Sequence, residues 1–137
     1  MKEHKYLRAY MAGIVVPTIV LLLGVTTFCI ARYVYDFSVP LERLMIFPMA
    51  VVPNLWGLWN VFFVAMRPRW QHSIGIHGAL LPFLLAPLGI LLTHYFNFTI
   101  PGFATRIFPI AAPVSLIVYY LAWKYLVGSL NRIVNLA

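Results

Sequence analysis

The sequence predicts an all-α polytopic membrane protein, with four transmembrane helices forming two parallel-repeat helical hairpins. Three observations carry this reading: composition, the placement of the charges, and an internal similarity. Of 137 residues, 63% are hydrophobic and 9% charged, against roughly 45 to 50% and 25% in soluble domains. A chain so poor in charge cannot cover a water-facing exterior. Crossing a hydrocarbon core of about 30 Å takes roughly 20 residues per helix, so four crossings use most of the chain and leave only short loops. The whole of 1–137 is therefore expected to form a single transmembrane domain.

Span 1 runs from Met11 to Ala31, behind Lys2, Lys5 and Arg8. A basic start followed by Cys29-Ile30-Ala31 also fits a signal peptide. The apolar run is longer than such a segment needs, and it has a counterpart in span 3, so we read it as a membrane helix. Span 2 covers Leu44 to Met66, with Pro48 in its first turn, where a missing N–H costs little, and Pro53 slightly further in. Span 3 covers Ile74 to Tyr95 and carries Pro82 and Pro87 near its middle beside Gly89, so it is the helix expected to kink. Span 4 runs from Ile107 to about Gly128, with Pro109 in its first turn and Pro113 beyond. Pro40 to Phe47 and Pro101 to Phe108 are then short turns or interfacial helices. The three carboxylates, Glu3, Asp36 and Glu42, all lie outside the spans.

The basic residues give orientation. Lys2, Lys5, Arg8, Arg67, Arg69, Lys124 and Arg132 fall on one side, and Arg32, Arg43 and Arg106 on the other. The positive-inside rule then puts both termini in the cytoplasm, in a multi-pass protein of the plasma (inner) membrane. Topology thus accounts for the net charge of +7. Nucleic acid is not an expected partner, because no continuous basic face or stacking platform accompanies that charge.

Residues 12–24, AGIVVPTIVLLLG, align without gaps on residues 77–89, HGALLPFLLAPLG, matching Gly13 to Gly78, Pro17 to Pro82 and Gly24 to Gly89. Residues 35–48, YDFSVPLERLMIFP, align on residues 96–109, FNFTIPGFATRIFP, matching Pro48 to Pro109. The chain reads as two copies of a hairpin, 11–66 and 74–128, with four extra residues in the first copy. Each copy has two spans, so the copies enter the membrane in the same direction and are related by an axis along its normal. Pro17 with Pro82, and Pro48 with Pro109, are the repeat-equivalent helix breakers. Gly13, Gly24, Gly57, Gly78 and Gly89 are candidates for close helix contact.

Few residues carry chemistry. Asn54 and Asn60 are the candidate intramembrane polar contacts, because an amide in hydrocarbon needs a hydrogen-bond partner. His77 and His94 are 17 residues apart on one helix, about 25 Å, too far to share a haem, and the other spans offer no histidine. His77, near the cytoplasmic end, is expected to reach water. Lys124, flanked by Trp123 and Tyr125, can snorkel to the interface. Cys29 is the only cysteine, which leaves no CxxC or thiolate metal site within one chain. No HExxH, P-loop, GxGxxG or serine triad pattern occurs. No catalytic site, metal or cofactor is expected. The expected role is that of an accessory or structural subunit of a membrane assembly, partnered by the lipid bilayer and by other membrane subunits or by itself. The alternative is a small homo-oligomeric transporter or channel, with a pathway between the hairpins near Asn54, Pro87 and Asn60.

Overall fold

A computed structural model describes residues 4–97 and 103–136, and is all-helical. Its four principal helices are α1 (Lys5–Val34), α2 (Leu41–Met66), α3 (Ile74–Tyr95) and α4 (Thr105–Ile133), all long and apolar enough to cross a membrane. The helices outrun the expected spans where apolar sequence gives way to polar. α1 begins six residues before Met11 and takes in Lys5 and Arg8, and α4 continues past Gly128 through Asn131 and Arg132. A helix does not stop where hydrocarbon would, because its backbone bonds are internal at any depth.

Local chemistry explains where the helices end. Ser73 takes extended backbone before α3, and its side chain accepts a hydrogen bond from the Ile76 N–H at 3.3 Å, satisfying one of the donors left over at a helix start. Past the far ends of α1 and α3, Asp36 and Asn97 adopt left-handed backbone, with φ of 55° and 50°. Asn and Asp enter that region more readily than most residues. Asn135 does the same after α4, at φ 56°, and the Leu136 N–H turns back to the Asn131 carbonyl at 2.8 Å, a Schellman-type closure.

α3 is continuous helix through Pro82 and Pro87, as is α1 through Pro17. The interruption lies in α2 at Phe47, whose φ of −138° and ψ of 125° are those of a strand. A residue that precedes proline is pushed away from helical backbone, and Phe47 precedes Pro48. The turn from Leu41 to Leu44 before it is a separate short helical segment. Pro109 sits at the start of the regular helical part of α4 and Pro113 inside it. Pro101 and the loop residues beside it lie outside the described residues. Farther along α4, Ala122–Val127 forms a wider π-type turn.

The most extensive contacts join α1 to α2 and α3 to α4; α2 also meets α3, and α4 meets α1, closing a ring. Each of the two main pairs approaches at a glycine. A methyl group on Gly13 would stand 2.6 Å from the Trp56 carbonyl oxygen and 2.9 Å from Gly57 Cα, and one on Gly78 would strike the indole of Trp123. A methyl group on Gly89 would stand 3.2 Å from the Phe47 ring, whereas one on Gly24 would meet nothing within 4 Å, so Gly24 is not a contact point between helices. The core is formed by Val52 and Trp56 of α2, Leu81 and Leu85 of α3, and Trp123 and Val127 of α4. The exterior is strongly apolar: Leu23 is 66% exposed, Leu91 66% and Ile110 69%, while Asn60 is fully buried. That distribution suits hydrocarbon as the surrounding medium.

Candidate functional site

The polar side chains of the interior gather in one layer, towards the end of the bundle that holds Lys5, Arg8, Arg67, Arg69, Lys124 and Arg132. We call it the basic end. Asn60 comes from α2 and Asn131 from α4. The Asn60 amide donates to Asn131 Oδ1 at 2.8 Å, and the Asn131 amide donates back to Asn60 Oδ1 at 2.9 Å. Asn60 also donates to the Ala9 carbonyl of α1 at 2.7 Å. One buried side-chain pair therefore ties three helices. An amide paired in this way has little capacity left for a ligand, and its geometry is fixed on both sides.

A second reciprocal pair ties α2 to α3. The Trp59 indole donates to the His77 carbonyl at 2.8 Å, and His77 Nε2 lies 3.0 Å from the Trp59 carbonyl. A carbonyl oxygen only accepts, so Nε2 carries the hydrogen. The two rings stack at 4.8 Å, with Phe62, Phe63 and Trp123 around the imidazole. The expectation that His77 reaches water is overturned: it is 4% exposed. Depth along the helix does not decide exposure; the aromatic side chains of α2 and α4 that surround the ring do, Trp123 among them lying against the neighbouring Gly78.

Asn54 and Asn60 do not converge. Asn54 lies on the exposed surface of α2, where it accepts from the Tyr10 hydroxyl of α1 and donates to the Ala50 carbonyl at 2.6 Å. Asn60 points into the bundle, as described above. Hydroxyls within the helices likewise turn to their own backbone, Thr26 to the Leu22 carbonyl, Thr27 to Leu23 and Ser115 to Ala112. Such bonds satisfy the hydroxyls locally, within their own helices.

At the basic end the tail of the chain is held by two arginines. Arg8 of α1 donates to the Val134 carbonyl at 3.0 Å, and Arg67 donates to the Leu136 carbonyl at 2.9 Å. Cations at the closing carbonyls of α4 also complement its dipole. Leu136 then packs with Ala9 and Val64 in a small second core. At the opposite end, Arg32 pairs with Glu42 at 3.1 Å, joining the end of α1 to the start of α2.

The larger concavity is elsewhere. A groove of about 590 Å³ opens between α2, α3 and α4 in the half of the bundle away from the basic end, lined by Phe47, Pro82, Leu85, Gly89, Phe108 and Ala112, with Arg43 also on its wall. Its walls are overwhelmingly apolar, and Phe47 is one of the side chains that line it. Sequence reasoning did not find this groove, because a break in one helix and a glycine on the next become neighbours only in three dimensions. It also missed Asn131, which lies beyond the expected end of span 4. A polar amide one turn past an apolar span was the available signal.

Comparisons with protein-family models, with curated proteins and with solved structures find no match to this chain.

Proposed function

We propose that this chain is a small integral membrane protein with no catalytic site of its own, acting as an accessory or structural subunit of a membrane assembly. The observation that carries the reading is the closure of the polar layer. Asn60, Asn131, His77 and Trp59 bind one another and the backbones of neighbouring helices. Side chains that would serve a solute passing between the hairpins are thereby engaged in holding the helices together. The apolar exterior and the groove between α2, α3 and α4 offer contact surface for lipid chains or for the helix of another subunit. The competing proposal, a homo-oligomeric transporter or channel, would need these pairs to open.

In the proposed topology the basic end is cytoplasmic, since it carries the excess of Lys and Arg. We further propose that the chain arose by duplication of a hairpin. In support, α1 and α3 end 61 residues apart, at Val34 and Tyr95, and are followed by left-handed Asp36 and Asn97, also 61 apart. Gly13 and Gly78, matched in the sequence alignment, are both points of closest helix approach.

Extraction of the tagged full chain in a mild detergent, followed by identification of what stays bound, tests the functional proposal. Discrete membrane subunits in fixed ratio are expected. A pure oligomer of this chain, with solute flux after reconstitution, would overturn the accessory reading in favour of the transporter.

A further inference from the structure

A second hollow, of about 350 Å³, lies at the basic end between the α2–α3 turn and the last turns of α4. Its wall includes Arg67, His72, Ser73, Lys124, Asn131 and Arg132. Three of these are permanent cations, from three separate places in the sequence. The two carboxylates among the described residues are Asp36 and Glu42, both at the opposite end, and Glu42 is paired there with Arg32. Charge gathered in a concavity with no carboxylate side chain beside it among the described residues focuses a positive potential into it.

The cations retain donors. Arg67 uses one Nη on the Leu136 carbonyl, and Arg132 makes only long contacts of 3.4 Å within its own turn. Lys124 Nζ stands 5.5 and 5.4 Å from the centres of the Tyr120 and Tyr125 rings. Both tyrosines also take side-chain hydrogen bonds from this ammonium, which has three donors and so keeps one for a further acceptor. The first turn of α3, capped by Ser73, adds the positive end of a helix dipole beside them. Arg and Lys together supply the fork and point-charge donors that oxyanions of phosphorus accept.

We propose that this hollow binds a phosphate group, as carried by an acidic phospholipid headgroup. The volume exceeds what inorganic phosphate fills, and leaves space for a glycerol moiety. Its position also fits: Lys124 lies on a membrane-length helix and Arg67 just beyond the end of another, so the site straddles the boundary where headgroups reside. The inference rests on the membrane reading but not on the accessory role, and it holds for a transporter equally.

The test uses the full chain purified in detergent free of phospholipid. Dioleoylphosphatidic acid, dioleoylphosphatidylglycerol, dioleoylphosphatidylcholine and inorganic phosphate are titrated separately, with native mass spectrometry counting bound lipid and thermal unfolding reporting protection. One acidic lipid per chain is expected, with binding that weakens as salt rises. Lys124→Gln with Arg132→Gln should weaken it at least tenfold. Among the described residues the hydrogen bonds of these two side chains stay within α4, so the variant should fold, and its unfolding without lipid checks that directly. Arg106→Gln, at the opposite end, should bind as the native chain does. Protection by inorganic phosphate and not by lipid would support the anion site while naming free phosphate as its source. Equal binding of phosphatidylcholine, unchanged binding by the double variant, or equal loss in Arg106→Gln would overturn the proposal.

Discussion

Asn60 and Asn131, 71 positions apart, face each other so that each amide both donates to and accepts from the other, at 2.8 and 2.9 Å. The pair fastens α2 to α4, and the further bond from Asn60 to the Ala9 carbonyl brings in α1. Replacing one partner leaves the other buried with unmet polar groups, which costs about 1 to 3 kcal/mol. Asn60→Leu and Asn131→Leu should each destabilise the detergent-solubilised protein by that amount. The double variant should fall well short of the sum, because no orphaned amide remains. Additive losses in a double-mutant cycle would mean the two amides act independently.

Asn54 should behave differently. It shares one bond with Tyr10 at the surface, and interhelical bonds in membrane proteins average about 0.6 kcal/mol. Asn54→Leu and Tyr10→Phe should each shift thermal unfolding slightly, and together no more than the larger alone. Protein abundance and cellular phenotype, measured in the same strains, should fall in proportion. A lost phenotype at full abundance would point to a pathway instead.

Gly78 and Gly24 provide a contrast at fixed chemistry. Adding a methyl group at Gly78 forces it into Trp123, while at Gly24 it meets open space. Overpacking of this kind costs roughly 1 to 3 kcal/mol, and removing a helical glycine from a free surface gains up to about 1 kcal/mol. Gly78→Ala is therefore expected to lower the unfolding temperature and Gly24→Ala to leave it unchanged or raise it. Parallel melts of the two purified variants check the sign.

Orientation is open to direct test. Reporter fusions after Arg69 and after Ala137 should both report the cytoplasm, since both follow segments on the side richer in Lys and Arg. A periplasmic or external signal from either would reverse the topology.

Much of the architecture was legible because lipid-compatible sequence is simple. The absence of carboxylates from four long stretches marks the helices, and span 3, Ile74 to Tyr95, coincides with α3 residue for residue. The breaks were less legible. The mid-span position of Pro82 and Pro87 drew attention to α3, whereas the residue that leaves helical backbone is Phe47, in front of Pro48 near the start of α2. Pairing across the bundle was not legible at all. Asn60 announced a need for a partner, but that the partner is Asn131 depends on how the π-type turn at Ala122–Val127 and the contact of Gly78 with Trp123 set the rotation and height of α4. His77 was misjudged for the same reason: its neighbours Trp59 and Trp123 come from other helices.

The tryptophans differ in exposure, from a buried pair through the half-buried Trp59 to an exposed one, and that grades their optical response. Trp56 and Trp123 are 4% and 0% exposed with rings 5.3 Å apart, whereas Trp70, in the turn at the basic end, is 44% exposed. Iodide in the aqueous phase should extinguish the emission of Trp70 and leave that of the inner pair. The quenchable fraction then reports events at the surface of the turn, and the residual short-wavelength light reports the integrity of the joints that Trp56, Trp59 and Trp123 make between α2, α3 and α4. A single cuvette can follow both without any label attached to the protein.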